Sequence, residues 1–211
     1  MKRLNFFAML MCSVAFMISS CGTSKVATNS ASVDENPYGK AVQQDICEVM
    51  QEEKPATRAV GNGQHFKLST AKNIAMAQAR AQFATSIAAA IITATEDCGI
   101  DLSKYAGDSD EGLSVSDQSG NANDWVLSVA KEVVTNTMVI KTSTYVKPNK
   151  QYNVFVCLEY MDGADALANR VEQKVVDKIP EDQAKKIREQ SDQFKQRIKQ
   201  MLEKNNGSDN K

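Results

Sequence analysis

The longest run of helix-forming residues in the chain is rich in alanine and spans residues 70–92, without glycine or proline. Alanine loses no side-chain entropy in a helix, so the run predicts a long helix capped by Ser69 or Thr70. Apolar residues recur at steps of three and four, which predicts one buried face: Ile74, Ala77, Ala81, Ala84 and Ala88. A face of small side chains lets a backbone come close, so we expect the helix to lie across a sheet. The β-branched stretch 91–95 leaves open whether the chain passes into a strand there.

Alternating apolar and polar residues predict two strands, at 138–147 and 152–161, joined by a turn at Pro148-Asn149-Lys150. Residues 57–63 predict a third strand, which leads into a turn broken by glycines. A hairpin alone is marginal in water and needs a further strand or a helix on its apolar face. The sequence therefore predicts an α+β fold, a small antiparallel sheet packed against the long alanine-rich helix.

A shorter helix is predicted over residues 125–134, with Asp124 as its cap. Trp125, Val129 and Val133 share one side of this helix. A lone tryptophan is typical of a core anchor, and the alternative is that Trp125 lines a groove for a small ligand.

The residue pattern of the C-terminal part of the chain predicts only helices. One starts near Gly163 and turns five residues inward: Leu167, Ala168, Val171, Val175 and Ile179. An amphipathic helical extension follows at 180–204, ahead of a polar tail at 205–211. Its apolar residues repeat every three or four positions, as in a coiled coil: Ala184, Ile187, Ser191, Phe194, Ile198 and Met201. This stripe either packs back on the domain or pairs with another chain.

The N-terminus has the organisation of an exported precursor, with two positive residues followed by an apolar stretch at 4–18. Ile18-Ser19-Ser20-Cys21 then resembles the lipobox of bacterial lipoproteins. The resemblance implies cleavage after Ser20, diacylglycerol on the Cys21 sulfur and acylation of the new amino terminus. The alternative is an ordinary secretory signal in which the cysteine is incidental.

On this interpretation the chain divides into a signal peptide (1–20), a flexible tether (21–39) and an α+β domain (40–179), followed by the C-terminal helix. Cleavage removes two of the 25 basic residues and none of the 26 acidic ones, leaving a net charge of about −3. Without a basic excess to gather phosphates, nucleic acid is not an expected partner. Residues 22–25 contain no acid. In Bacteroides-type lipoproteins an acidic cluster there is associated with export to the surface, so we expect the periplasmic face of the outer membrane.

The sequence offers few residues that could take part in catalysis or bind a metal. The only histidine, His65, lies in a predicted turn, and the three mature cysteines besides Cys21 match no metal motif: Cys47, Cys98 and Cys157. An exported compartment permits one disulfide among them, with the pair left open, and Cys157 fits a buried thiol. Gly61-Asn62-Gly63 lacks the third glycine of a dinucleotide loop, and the acidic residues at 108–111 lack the spacing of a calcium loop. We therefore expect no catalysis, no cofactor and no metal.

Three features of the sequence occur in an order similar to that in one known family. They are Arg58-Ala59-Val60-Gly61, the alanine spacing Ala71, Ala75, Ala79-Arg80, and the strand Tyr152-x-Val-x-Val-x-Leu158. With the lipobox in front, the chain resembles the Lpp-twenty family of outer-membrane lipoproteins over residues 57–162. A related module opens the flagellar assembly protein T.

The resemblance implies a compact α+β unit without enzymatic activity, for which surface-antigen, motility and small-ligand roles have been suggested. The acidic loop and long C-terminal helix depart from the family, so its partners are not carried over. We therefore expect a membrane-anchored envelope lipoprotein with a structural or interaction role. The alternative is a periplasmic small-ligand-binding module that uses a groove near Trp125.

Overall fold

The computed structural model of the chain describes residues 43–100, 102 and 118–206, of which residues 118–123 only by their backbone. The described elements are, in chain order, α1 (Ile46–Glu53), β1 (Arg58–His65), α2 (Leu68–Asp97), α3 (Gln118–Val134), β2 (Thr137–Val146), β3 (Tyr152–Tyr160), α4 (Gly163–Val176), α5 (Glu181–Glu189) and α6 (Ser191–Asn206). The predicted α+β fold is confirmed: a small antiparallel sheet packs against a long alanine-rich helix, with further helices at the C-terminal side.

The sheet has the strand order β1-β3-β2, so β3 pairs on both sides and β1 and β2 are its outer strands. The predicted hairpin is confirmed, with β2 and β3 paired from Thr137 opposite Tyr160 to Val146 opposite Tyr152. The third strand is also present, although its two glycines lie within β1 and not in a turn after it.

Helix α2 touches β1 backbone to backbone because both surfaces lack bulky side chains. A Cβ on Gly61 would lie 2.1 Å from the carbonyl oxygen of Ala75, and one on Gly63 would lie 2.1 Å from that of Ala71. Ala71, Ala75 and Ala79 are completely buried and pack on the apolar side chains of β3. Any larger residue at the two glycines would push the helix off the sheet.

The buried face of α2 differs from the predicted one in its first half. Ile74 is 42% exposed, and Ala77 and Ala81 are also exposed, whereas Ala84 and Ala88 are buried as predicted. Alanine occupies so many positions that two faces satisfy the same spacing. The glycines of β1 decide between them, because only a stripe without protruding side chains fits against them.

The ends of α2 also differ from the prediction. The helix begins at Leu68, ahead of Ser69 and Thr70, and no side chain caps its first turn. It continues through the β-branched stretch to Asp97, so the strand alternative is wrong for residues 91–95. The hydroxyl of Thr95 donates to the carbonyl of Ile91 at 2.8 Å, which gives this polar group a partner inside the helix.

The second half of α2 enters a larger core that α3, α4, α5 and α6 complete. The predicted inward side of α4 is confirmed for Leu167, Ala168, Val171 and Val175, and Ile179 is also buried but lies beyond the end of the helix. The single helix predicted at 180–204 is instead two helices, α5 and α6, which separate at Gln190. The chain turns there because α5 packs against α4, whereas α6 packs against both α2 and α4.

Helix α1 covers part of the sheet face opposite α2. Its Cys47 is completely buried against Val60 of β1 and Cys157 of β3. Asp45 caps α1 by accepting the N–H of Cys47 at 2.7 Å, and it also accepts the hydroxyl of Tyr145 from β2 at 2.7 Å. The cap of α1 is thus attached to an outer strand of the sheet.

Candidate functional site

The predicted lipid-attachment residue Cys21 and the cleavage residue Ser20 lie outside the described residues. The lipid anchor therefore remains a prediction from the sequence. Among the residues that the structure describes, no helix is both long and apolar enough to cross a bilayer.

Trp125 lies on α3 and is partly buried against the larger core. Val126 and Val129, which follow it on α3, are completely buried. A surface groove does run along α3, but the residues that line it come from the far end of the helix, around Val134. The structure thus places Trp125 at the core and apart from that groove.

The apolar residues of the C-terminal helices pack back on the domain. Ile187, Phe194 and Ile198 are completely buried, and Met201 is partly buried against the same core. The structure therefore has the first of the two arrangements left open by the sequence. In this conformation the four residues offer little surface to a second chain, and pairing with a partner through them stays a prediction.

The groove between α2 and α3 has a volume of about 490 Å³ and a mostly apolar lining. Its lining residues are Ala77, Arg80 and Ala81 from α2, Lys131 and Val134 from α3, and Thr135 directly after α3. The volume falls within the range of small-molecule sites in proteins. The groove exists because Ala77 and Ala81, which were expected to pack inward, face outward.

Two positive charges stand at this groove. Arg80 and Lys131 are both exposed, and neither has a hydrogen-bond or ion-pair partner among the described residues. Cations beside an apolar floor suit a ligand with an apolar body and an anionic head. From the sequence, Arg80 was named only as part of the alanine spacing and Lys131 was not singled out, since no local pattern shows that two distant residues meet.

The second exposed feature is strand β2, which lies at an edge of the sheet. Four of its large apolar side chains are strongly exposed: Met138 (56%), Val139 (44%), Tyr145 (51%) and Val146 (65%). Lys141 is its only charged residue, and the strand contains no glycine or proline. Edge strands of soluble proteins are usually protected by charge, proline or a covering element. β2 has only Lys141 and a register shift between Val139 and Lys141 as protection, so its exposed apolar side chains make it a candidate interaction surface.

Arg58 is a buried charged group, and its side chain is only 9% exposed. It donates to Glu159 at 3.0 Å, to Glu53 at 3.0 Å and to the carbonyl of Met50 at 2.7 Å. Burial acts to raise the pKa of Glu159, but hydrogen bonds from Lys54 and Arg58 outweigh it and lower that pKa. The network joins α1 to β1 and β3 and satisfies its own charges, as a structural ion pair does.

The three described cysteines are free thiols, and all are buried. The interpretation of Cys157 as a buried thiol is therefore confirmed. Burial raises the pKa of Cys47 to about 11 and that of Cys157 to about 12. At neutral pH both stay protonated, and the thiolate is the form that acts as a nucleophile. Cys98 lies apart from them, in the larger core.

No protein-family model, curated protein or solved structure matches the chain. The resemblance to the Lpp-twenty family therefore stays a prediction based on the residues that suggested it. Within the described part of the chain, no three histidine, cysteine or acidic side chains are grouped so that they could hold a metal ion. The groove beside Arg80 and the exposed strand β2 are the two candidate binding surfaces.

Proposed function

We propose that the chain is a lipoprotein of a bacterial envelope, anchored through Cys21, that acts by binding other molecules and not by catalysis. The observation that carries the anchor is the sequence Ile18-Ser19-Ser20-Cys21 directly after a positive and an apolar segment. Burying acyl chains contributes about 0.8 kcal/mol per CH₂, and two or more chains hold a protein stably to a membrane. The periplasmic face of the outer membrane is the proposed location.

Two features of the globule support a binding role. The charged side chains of the Arg58 network form ion pairs with one another, and the buried thiols have raised pKa values. By contrast, β2 exposes four large apolar side chains to its surroundings, two near each end of the strand. Exposed apolar surface of this kind is typical of sites for protein or ligand contact.

Fatty-acid labelling in a bacterial host tests the anchor. The unaltered chain is expected to incorporate a labelled fatty acid and to sediment with membranes. Cys21→Ala should lose the label, because the acceptor sulfur is gone, whereas the matched variant Cys12→Ala, in the same leader, should keep it. Equal labelling of the two variants would contradict the proposal, and trypsin digestion of intact cells would distinguish the periplasmic face from the surface.

A second candidate function is small-ligand binding, and the groove between α2 and α3 favours it. The two unpartnered cations, Arg80 and Lys131, flank an apolar floor, so we propose a long-chain carboxylate as the ligand. In this proposal the ligand site lies at the end of α3 away from Trp125.

Binding of a fluorescent fatty acid tests the groove. Arg80→Gln together with Lys131→Gln should weaken binding about tenfold or more, because each removes a charge-assisted hydrogen bond. Lys72→Gln together with Lys186→Gln removes two exposed charges elsewhere and should leave binding unchanged. Equal weakening by both pairs would show a general charge effect and would exclude the groove.

A further inference from the structure

One end of the sheet is formed by residues 64–67 and 146–151, and we name this end the sheet tip. β1 and β2 end here and β3 begins here, with His65 and Val146 both paired opposite Tyr152. Beyond this row, one short connection leads from β1 into α2, and the hairpin turn joins β2 to β3. The sheet tip therefore brings together two segments that are far apart in the sequence.

Side-chain hydrogen bonds hold the two segments of the sheet tip together. The Lys147 ammonium group donates to the side-chain oxygen of Gln64 at 2.7 Å, which joins the hairpin turn to β1. The N–H of Lys67 donates to Nδ1 of His65 at 2.9 Å, which fixes the backbone on both sides of Phe66. Because three neighbouring strands span about 10 Å, the sheet tip is a continuous surface of about that width.

Two large apolar side chains of the sheet tip are exposed to solvent. Phe66 is 62% exposed and Val146 is 65% exposed, which are the highest values among the large apolar side chains that the structure describes. Exposed apolar groups rimmed by polar residues are typical of sites for protein or membrane contact.

The polar residues around these two side chains are positively charged. The sheet tip contains Lys67, Lys147 and Lys150 and no aspartate or glutamate. None of the three lysines has an ion-pair partner among the described residues. At the opposite end of the sheet, by contrast, Arg58 forms an ion pair with Glu159. The sheet tip is thus the end of the sheet with uncompensated positive charge.

The sequence around the sheet tip shows the same charge asymmetry. Residues 54–95 include five basic residues and no acidic one, and residues 133–158 include three basic residues and no acidic one. The mature chain nevertheless has a net charge of about −3, so its acidic residues are concentrated in other segments. A local excess of this kind attracts an anionic surface even when the whole chain is slightly acidic.

We propose that the sheet tip docks on the bilayer that holds the lipid anchor, with its lysines at anionic lipid headgroups and Phe66 and Val146 at the boundary with the acyl chains. A lysine close to an anionic bilayer strengthens binding about fivefold. Cations beside an exposed phenylalanine are also the combination found in segments that lie in the membrane interface. The proposal rests on the proposed anchor for the identity of the bilayer.

The position at which the N-terminal segment joins the domain favours this end of the sheet. The described chain starts at Gln43, two residues before Asp45, whose carboxylate accepts the Tyr145 hydroxyl at 2.7 Å. Tyr145 directly precedes Val146, so the segment that carries Cys21 joins the domain beside the sheet tip. The chain therefore does not have to pass around the domain for the sheet tip to face the bilayer.

Spin labelling of the full chain tests the docking. Pro148→Cys places a nitroxide label in the exposed hairpin turn, and Met161→Cys, an exposed position directly after β3 at the opposite end of the sheet, is the matched control. The described native cysteines are buried, so they take up little label. The label at position 148 should be about threefold less accessible to a water-soluble nickel complex in vesicles of phosphatidylcholine with about one third phosphatidylglycerol than in phosphatidylcholine alone.

The label at position 161 should be equally accessible in both kinds of vesicle. Equal accessibility at position 148 in both, or the same decrease at both positions, would overturn the proposal.

Charge variants of the labelled chain identify the docking residues. Replacing the three lysines of the sheet tip by glutamine should remove most of the difference between the two kinds of vesicle at position 148. A matched variant removes three exposed charges from α5 and α6 and should keep that difference: Lys185→Gln, Lys186→Gln and Lys204→Gln. Equal loss in both variants would show a general charge effect and would overturn docking through the sheet tip.

The intact mass of the same sample reports acylation of Cys21 separately. An acylated chain stays on both kinds of vesicle, so a change at position 148 that depends on anionic lipid comes from the sheet tip. A chain without acyl groups would contradict the anchor, and at high lipid concentration its label at position 148 should still lose accessibility with the anionic vesicles alone. No such loss would contradict the docking, so the two failures are distinguishable.

Discussion

The outer strands β1 and β2 pair with the same central strand, yet their surroundings are opposite. Residues 58–61 of β1 are all buried, with α2 on one face of the strand and α1 on the other. No residue of β2 is buried, and several of its apolar side chains are more than half exposed. Both strands belong to the same sheet, so the difference comes from which helices cover them.

The comparison teaches that side-chain size decides where the long helix lies. Gly61 and Gly63 leave room for the backbone of α2, whereas the β-branched residues of β2 would hold the helix away. Helix α2 therefore lies over β1 and β3 and leaves β2 uncovered. β1, which has few large apolar side chains, is therefore buried, whereas β2, which has more of them, is exposed.

The largest expected effect comes from breaking the close contact on the covered strand. Gly61→Val should lower the free energy of unfolding by about 3 kcal/mol or more, because a Cβ there meets backbone atoms of α2. Thr144→Val places the same side chain on exposed β2 and should change stability by less than about 0.5 kcal/mol. Chemical unfolding followed by circular dichroism measures both, and equal losses would contradict the comparison.

A smaller difference in the free energy of unfolding is expected between substitutions at two neighbouring residues on the α2 side of the sheet. Leu158 of β3 is completely buried and lies opposite Val139 of β2, which is 44% exposed. Leu158→Ala should cost about 3 kcal/mol through lost burial and the cavity left behind. Val139→Ala should cost less than about 1 kcal/mol in the same unfolding measurement. A loss above that for Val139 would mean that β2 is covered in solution.

The ion pairs on the other face should make stability depend on pH. The pKa of Glu159 is lowered from its usual 4.5, so its contribution is present above that value and is lost as the pH falls through and below it. Glu159→Gln should lower the free energy of unfolding at pH 7 by about 2 kcal/mol, because Arg58 loses a partner. The variant should also lose less stability than the unaltered chain between pH 7 and pH 3. Parallel pH profiles for the two would show that Glu159 makes no such contribution.

The smallest effect concerns the link between β2 and the cap of α1. Tyr145→Phe removes the hydroxyl that donates to Asp45 and should lower the free energy of unfolding only slightly, because Tyr145 is half exposed. Burial acts to raise the pKa of Asp45, but hydrogen bonds from the N–H of Cys47 and from Tyr145 lower it, so the variant should raise this pKa. A double-mutant cycle with Asp45→Asn isolates the pair, and a coupling energy of zero would show that the hydrogen bond contributes nothing.

Much of the fold was predictable because it depends on local patterns. The hairpin of β2 and β3 follows from alternation, and the inward side of α4 follows from helical spacing. The groove was not predictable, since Arg80 and Lys131 are 51 positions apart and no local pattern relates them. The same holds for Met201 and its neighbours on the C-terminal helices. Their amphipathic pattern predicts that one face is buried, but it does not predict which surface covers that face.

The sequence by itself predicted the long alanine-rich helix, the pairing of the hairpin and the lipobox on which the proposed anchor rests. These depend on residues near one another in the chain, where propensity and periodicity act directly. Only the tertiary structure decided which alanine face of α2 is buried, that the C-terminal apolar residues turn inward, and that β2 is left uncovered. Those outcomes depend on contacts between distant parts of the chain, such as the close approach of α2 to the two glycines of β1.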